Sequence, residues 1–204
     1  MVGGAVTSRD LVLGRLRAAL ATGGPAPAPV SRDYVQADTV DVDQLAQRLT
    51  DYRAHVHRAT EAAVADTIAD LLPAGATVVV PPGLPPAWLP STVTTLTDDG
   101  LDHGRIGAAD AVVTAAAVAI AQTGTIVLDG SPDQGRRVLS LLPDRHVCVV
   151  RAEQVVATVP EALARLTPHR PLTWISGPSA TSDIELIRVE GVHGPRHLHV
   201  VLLP

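Results

Sequence analysis

The most regular pattern in the chain is amphipathic. Val42, Leu45, Leu49, Tyr52 and Val56 recur every three to four residues, the spacing of one helix face. It predicts a helix over 43–72. Asp41 with Gln44 three residues later resembles a capping box, and Pro73 and Gly75 close the run. A shorter amphipathic stretch spans 8–20, with Leu11, Leu13, Leu16 and Leu20 among Arg15 and Arg17. "ATGGPAPAPV" (21–30) follows as an extended tether. The expected organisation is an N-terminal arm and linker, 1–30, then a single domain, 31–204.

Beyond the helix the pattern shortens. "TVVVPP" (77–82) and "STVTTL" (91–96) read as strands, with a turn or loop at 98–104. Residues 109–130 read as strand, short Ala-rich helix or bend, Thr-Gly-Thr turn, strand. A short helix at 134–143 precedes a strand at 145–150. A helix at 158–166 has Thr158 as N-cap and Glu161 in the capping-box position. Strands at 172–176 and 196–204 finish the chain. This rhythm argues for one open α/β sheet covered on both faces.

Composition sharpens the picture. The chain is 46% hydrophobic yet has no Phe and only 2% aromatics, so Val, Leu, Ile and Ala must fill the core. That mix suits buried parallel strands under Ala- and Leu-rich helices. The net charge is −5, and there is no basic stripe or aromatic platform, which argues against nucleic-acid binding. The start has no charged n-region and apolar h-region, and no apolar run reaches about 18 residues. No signal peptide or membrane span is expected, and the cytoplasm is the default location. The single cysteine, Cys148, allows no internal disulfide and cannot anchor an iron–sulfur cluster.

Four segments carry candidate chemistry. In "TWISGPSATSDIE" (173–185) an apolar run opens into Gly177, Pro178, Ser179, Thr181, Ser182, Asp183 and Glu185. Ligands of such sheets collect at carboxyl ends of strands. Ser179, Thr181 or Ser182 can also cap a following helical turn, with Glu185 completing a capping box. In "AQTGTIVLDG" (121–130), Gly124 permits a tight turn flanked by Thr123 and Thr125, read either as a pocket floor or as a turn. "GVHGPRHLHV" (191–200) offers His193 between glycines, a donor or acid–base group, with Gly194 beside it. His197 and His199 share a strand face, but no acid or thiol completes a ligand spacing, and His55 and His57 on a helix do not share one. No metal site is expected. "DGSPDQGRR" (129–137) gathers Asp129, Asp133, Arg136 and Arg137. Either arginine can grip an anion, and a solvated turn is the plainer reading. No G-x-S-x-G elbow, Walker loop or G-x-G-x-x-G is present.

Taken in order, "AIAQTGTIVLDGSPDQGRRVLSLLPDRHVCVV", "TWISGPSATSDIELIRVEGVHGPRHLHVVLL" and Arg32-Asp33-Tyr34 resemble the LUD-domain family over roughly residues 31–204. The resemblance implies a fold similar to the sugar-phosphate isomerase and CoA-transferase superfamily. That is a three-layer α/β/α sandwich with a Rossmann-like, mostly parallel sheet. It also implies a role in bacterial L-lactate oxidation to pyruvate, beside two partner proteins that carry iron–sulfur clusters. The chain would then be an accessory, non-redox subunit with no cofactor of its own. Its pocket would take a small anionic metabolite, built from Thr123–Thr125, Gly177–Asp183 and His193–Pro195. One departure matters: Gln122 stands where the family often has an acid, and glutamine cannot form the acyl-anhydride of a CoA-transferase. The alternative is a stand-alone enzyme of isomerase, acyl-transfer or cyclo-ligase type, with Asp129, Asp183 or Glu185 as its acid. A plainer third idea is a scaffold whose N-terminal arm docks the partners.

Overall fold

A computed structural model describes residues 7–21, 24, 28–31, 39–181, 189–190 and 194–204, and only the backbone at 180, 181, 189 and 190. Contacts divide the chain into two compact units, Met1–Tyr34 and Val35–Pro204. The first contains α1 (Ser8–Ala21), none of whose side chains is buried. The Asp10 carboxylate accepts the Thr7 N–H, and the Thr7 hydroxyl accepts the Asp10 N–H, so the start of α1 is reciprocally capped.

In the second unit, six strands pair into one parallel sheet: β1 (His55–Arg58), β2 (Thr77–Val80), β3 (Thr94–Thr97), β4 (Ala111–Ala115), β7 (Arg145–Arg151) and β12 (His197–Leu203). Their order is β1-β12-β7-β4-β2-β3, parallel throughout. The middle strands are covered on both faces and therefore read as unbroken apolar runs. On one face Val78, Val113, Val149 and Val201 pack with Val64 and Ile68 of α3 (Val64–Leu71) and with Trp88. On the other, Cys148, Val150, Leu198 and Val200 pack with Leu45 and Leu49 of α2 (Val42–Asp51). Beside them Val79 and Val112 meet Ile106 of α4 (His103–Gly107) and Leu139. The chain is thus an α/β fold with a mostly parallel sheet flanked by helices.

That second face also carries a layer absent from the one-sheet expectation. β8 (Val155–Val156), β5 (Val118–Ile120), β6 (Thr125–Leu128) and β9 (Thr173–Ile175) form a mixed four-stranded sheet in that order. Its inner side chains, Ala119, Ala121, Ile126 and Leu128, join the α2 core. Its outer ones, Val118, Ile120 and Val127, pack under Ala162 of α5 (Val159–Arg165). The Ala-rich stretch read as a helix or bend is therefore β5. Its small side chains fit because they are enclosed between layers. A two-stranded antiparallel ladder, β10 (Ala180–Thr181) with β11 (Val189–Glu190), completes the unit.

Other expectations are corrected. The helix over 43–72 is four elements. Asp41 caps α2 by accepting the Asp43 and Gln44 N–H groups, but the helix stops at Tyr52, and Arg53 takes a left-handed φ of 68°. The chain then enters β1, whose backbone is satisfied by β12, before a 3-10 turn at Glu61–Ala63 and α3. Residues 134–143 contain only a 3-10 turn, Arg137–Ser140. Thr158 does not cap α5; its Oγ1 is buried without a partner. The Glu161 carboxylate instead accepts the Ala157 N–H at 2.9 Å. No helical turn starts at Ala180, which is strand. Ser182 and Glu185 lie outside the described residues, as do Arg32, Asp33 and Tyr34.

Candidate functional site

Loops of two of the singled-out motifs meet at one cavity of about 330 Å³. Gly177, Pro178 and Ser179 form part of its wall, as do Gly194 and Pro195. The Ser179 N–H donates to the Pro195 carbonyl at 2.8 Å, tying the two loops together. His146 of β7 and Leu198 of β12 line the cavity from the main sheet, and residues 173–176 line it from β9 and beyond. Arg137, Ser140 and Leu141 supply the remaining wall. The site follows the carboxyl end of β9 but sits at the amino ends of β7 and β12, opposite to the main-sheet expectation. Around the carboxyl ends of the main sheet, loops close on one another: Gly83 donates its N–H to the Pro132 carbonyl at 2.9 Å.

The charges at the site are one-sided. Among the described residues the cavity wall holds no carboxylate, and the guanidinium of Arg137 has no acidic partner. The other cations nearby are occupied. Arg136 makes a bidentate pair with Asp98, at 2.8 and 2.5 Å, and holds that carboxyl below its usual range. It lies outside this cavity. Arg196 is bidentate to Asp144, both contacts at 2.7 Å, and Arg170 reaches Asp129 at 2.6 Å. Arg145 donates to the Leu71 carbonyl.

His146 is 1% exposed. Its Nε2 lies 2.8 Å from Thr114 Oγ1 on β4, and burial pushes its pKa down to about 4. At neutral pH the imidazole is uncharged and offers one donor and one acceptor.

The Thr-Gly-Thr turn stands one step back. Gly124 has φ 62°, and a Cβ there would lie 2.6 Å from Arg48 Cβ. The turn is pressed onto α2, so glycine answers both a backbone and a space requirement. Thr123 Oγ1 lies 2.8 Å from Thr125 Oγ1, and Thr125 Oγ1 lies 2.8 Å from Ser176 Oγ. This hydroxyl chain reaches the cavity wall at Ser176 without the turn lining it. Gln122 is exposed, its N–H bonded to the Ala157 carbonyl. Gly177 has φ 122°, and a Cβ there would meet the Tyr52 carbonyl at 2.8 Å. Thr181 belongs by its backbone to β10. Asp183 and His193 lie outside the described residues.

Three of the other histidines come together in an unexpected way. With 55–58 a strand, His55 and His57 do share a face, and β12 sets His199 opposite His55. His57 Nε2 and His199 Nδ1 are 3.2 Å apart with rings inclined by only 23°, the arrangement of an N–H···N hydrogen bond. Among the described residues no group of three or more His, Cys, Asp or Glu is placed to hold a metal ion. Cys148 is buried, its thiol pushed up to about 12 by burial. Among the described residues no helix is long and apolar enough to cross a membrane.

Sequence reasoning passed over His146 and Ser140 and named Arg137 only as an alternative to Arg136. The available signal was His146 itself, a lone imidazole inside the run "HVCVV".

The LUD domain model matches residues 103–203. Lactate utilization protein C of Deinococcus radiodurans is 48% identical over 184 residues, spanning 88% of this chain and 84% of that protein. Lactate utilization protein C of an Exiguobacterium species is 33% identical over 132 residues, 57% of this chain and 56% of that protein. The crystal structure of a DUF162 family protein from Deinococcus radiodurans superposes with a TM-score of 0.69 at 41% identity, covering 80% of this chain and 96% of that one. With this similarity running through most of its length, the chain belongs to the LUD-domain family.

Proposed function

We propose that this chain is an accessory, non-redox subunit of a bacterial L-lactate oxidation system, and that its cavity binds a small carboxylate such as lactate or pyruvate. Homologues named lactate utilization protein C support involvement in lactate utilization. The observation that carries the anion reading is Arg137: a guanidinium without an acidic partner among the described residues, on a wall without carboxylates. A guanidinium matches a carboxylate with two parallel N–H···O bonds. Ser176 lines the same cavity, and its hydroxyl, which can accept from Thr125, is able to donate to a further oxygen. The single buried cysteine fits a division of labour in which partner proteins carry the iron–sulfur clusters.

Calorimetric titration with L-lactate and pyruvate tests this. Binding is expected in the wild type and weakened about 10- to 100-fold in Arg137→Ala, the range for a hydrogen bond to a charged group. No heat and no rise in Tm with either acid at saturation, or equal binding by the variant, overturns it. Purification of the tagged chain from lactate-grown cells tests the complex, with two cysteine-rich partners expected; recovery of the chain alone counts against it.

A second reading, a stand-alone enzyme on this fold, is favoured by Asp133. Its carbonyl accepts the Ala115 N–H at the carboxyl end of β4, and burial pushes its carboxyl above the usual range, as suits a general acid. The sequence has no lysine, so no side-chain amine can form a Schiff base. Turnover by the isolated chain that Asp133→Asn abolishes would establish this reading in place of the first.

A further inference from the structure

We propose that His146 is the residue by which the cavity distinguishes a carboxylate bearing an oxygen on its α-carbon from one that lacks it, and that Thr114 is its positioning residue. This rests on the reading that Arg137 holds the carboxylate. A buried imidazole in a strand of Val and Cys needs partners, because an unsatisfied buried polar group is costly. Nε2 has Thr114, itself fully buried on the adjacent strand β4. Nδ1 has no protein partner among the described residues, and the residue forms part of the cavity wall. Ser140 lines the same cavity.

The Thr114 hydroxyl has one proton and can point it either way. If it donates to Nε2, the imidazole carries its proton on Nδ1 and donates to the carbonyl oxygen of a 2-oxo acid. If it accepts from the Nε2–H, Nδ1 presents a lone pair to the hydroxyl of a 2-hydroxy acid. Rotation of one hydroxyl thus lets the same ring meet either member of a hydroxy acid and oxo acid pair. A carboxylate without that oxygen leaves Nδ1 unmet. Sites built to hydrogen-bond a ligand oxygen reject the analogue that lacks it far more strongly than sites that measure bulk.

The test compares pyruvate, L-lactate and propionate by calorimetry on the full chain. Wild type is expected to bind pyruvate and lactate at least about tenfold more tightly than propionate. In His146→Gln that preference is expected to fall below about threefold while propionate affinity stays within about twofold. Thr114→Val is expected to lower the same preference. The ¹⁵N signals of wild-type His146 should report the proton on Nδ1 with pyruvate and on Nε2 with L-lactate, a switch that Thr114→Val removes because nothing is left to accept the Nε2–H. That signature is what a purely structural threonine would not produce. If His146→Gln does not fold, Thr114→Val carries the test. Equal binding of all three acids by wild type, with loss of all three in Arg137→Ala, overturns this proposal and leaves the anion reading standing. No binding of any acid overturns both.

Discussion

Acidification should expose the cost of keeping His146 neutral. Its pKa is about 4 in the folded chain against an ordinary 6.5. On lowering the pH the unfolded chain takes up the proton first, so the equilibrium shifts toward unfolding. The contribution is fully present above about pH 6.5 and is lost as the pH falls toward about 4, where it levels off. A difference of about 2.5 units corresponds to about 3 kcal/mol in all, and about 2 kcal/mol of it is lost between about pH 7 and pH 5. That is a sizeable share of the 5–15 kcal/mol by which domains are usually stable. Urea unfolding of wild type and His146→Gln at several pH values measures it. His57 and His199, whose pKa values are also lowered, are present in both proteins and cancel in the difference. Wild type is expected to lose about 2 kcal/mol more than the variant over that span. Parallel losses would show that His146 is not a buried neutral group, and the site geometry would be wrong with it. A bound carboxylate should flatten the wild-type profile, because an anion beside the ring favours its charged form.

Other outcomes follow from the same geometry. Gly177→Ala places a methyl 2.8 Å from the Tyr52 carbonyl at φ 122°; about 2–4 kcal/mol of destabilisation is expected in chemical denaturation, and an unchanged midpoint would refute the close approach. Gly124→Ala meets Arg48 Cβ at 2.6 Å and should cost a similar amount, without altering which acids bind. Cys148 should resist alkylation in the native protein and react only on unfolding, since its thiol is buried and held near about 12. Asp98→Ala leaves the Arg136 guanidinium with its bond to the Leu101 carbonyl but no counter-charge and should lower Tm, yet leave carboxylate affinity intact, because that pair is outside the cavity.

Local pattern carried much of this fold. Leu45 and Leu49 are the buried face that their spacing implied, and Asp41 is the cap. The extension to Tyr52 and Val56 failed because periodicity cannot see a partner strand. Val56 is half-buried on β1, where pairing with β12 outweighs helix propensity. The helix ends without the glycine or proline that usually marks such a place, since Arg53 itself takes the left-handed turn. The second sheet was hidden for a related reason: β5 is three residues of Val, Ala and Ile whose strand identity depends on β6 and β8. At the site, the glycine-bearing motifs were legible because turns and backbone approaches are local. Arg137 and Arg136 are adjacent and chemically alike. Only Asp98, 38 residues away, tells which one is taken.

The position of the cavity has a mechanical consequence. Its walls come from β7 and β12 on one side and β9 on the other, strands that belong to two separate ladders among the described residues. At this end the 2.8 Å backbone bond from Ser179 to Pro195 ties one wall to the other. A ligand gripping both walls would act as a clasp across a laminate. Occupancy should then slow hydrogen exchange in β9 and β6 together, by raising the free energy of peeling one sheet from the other.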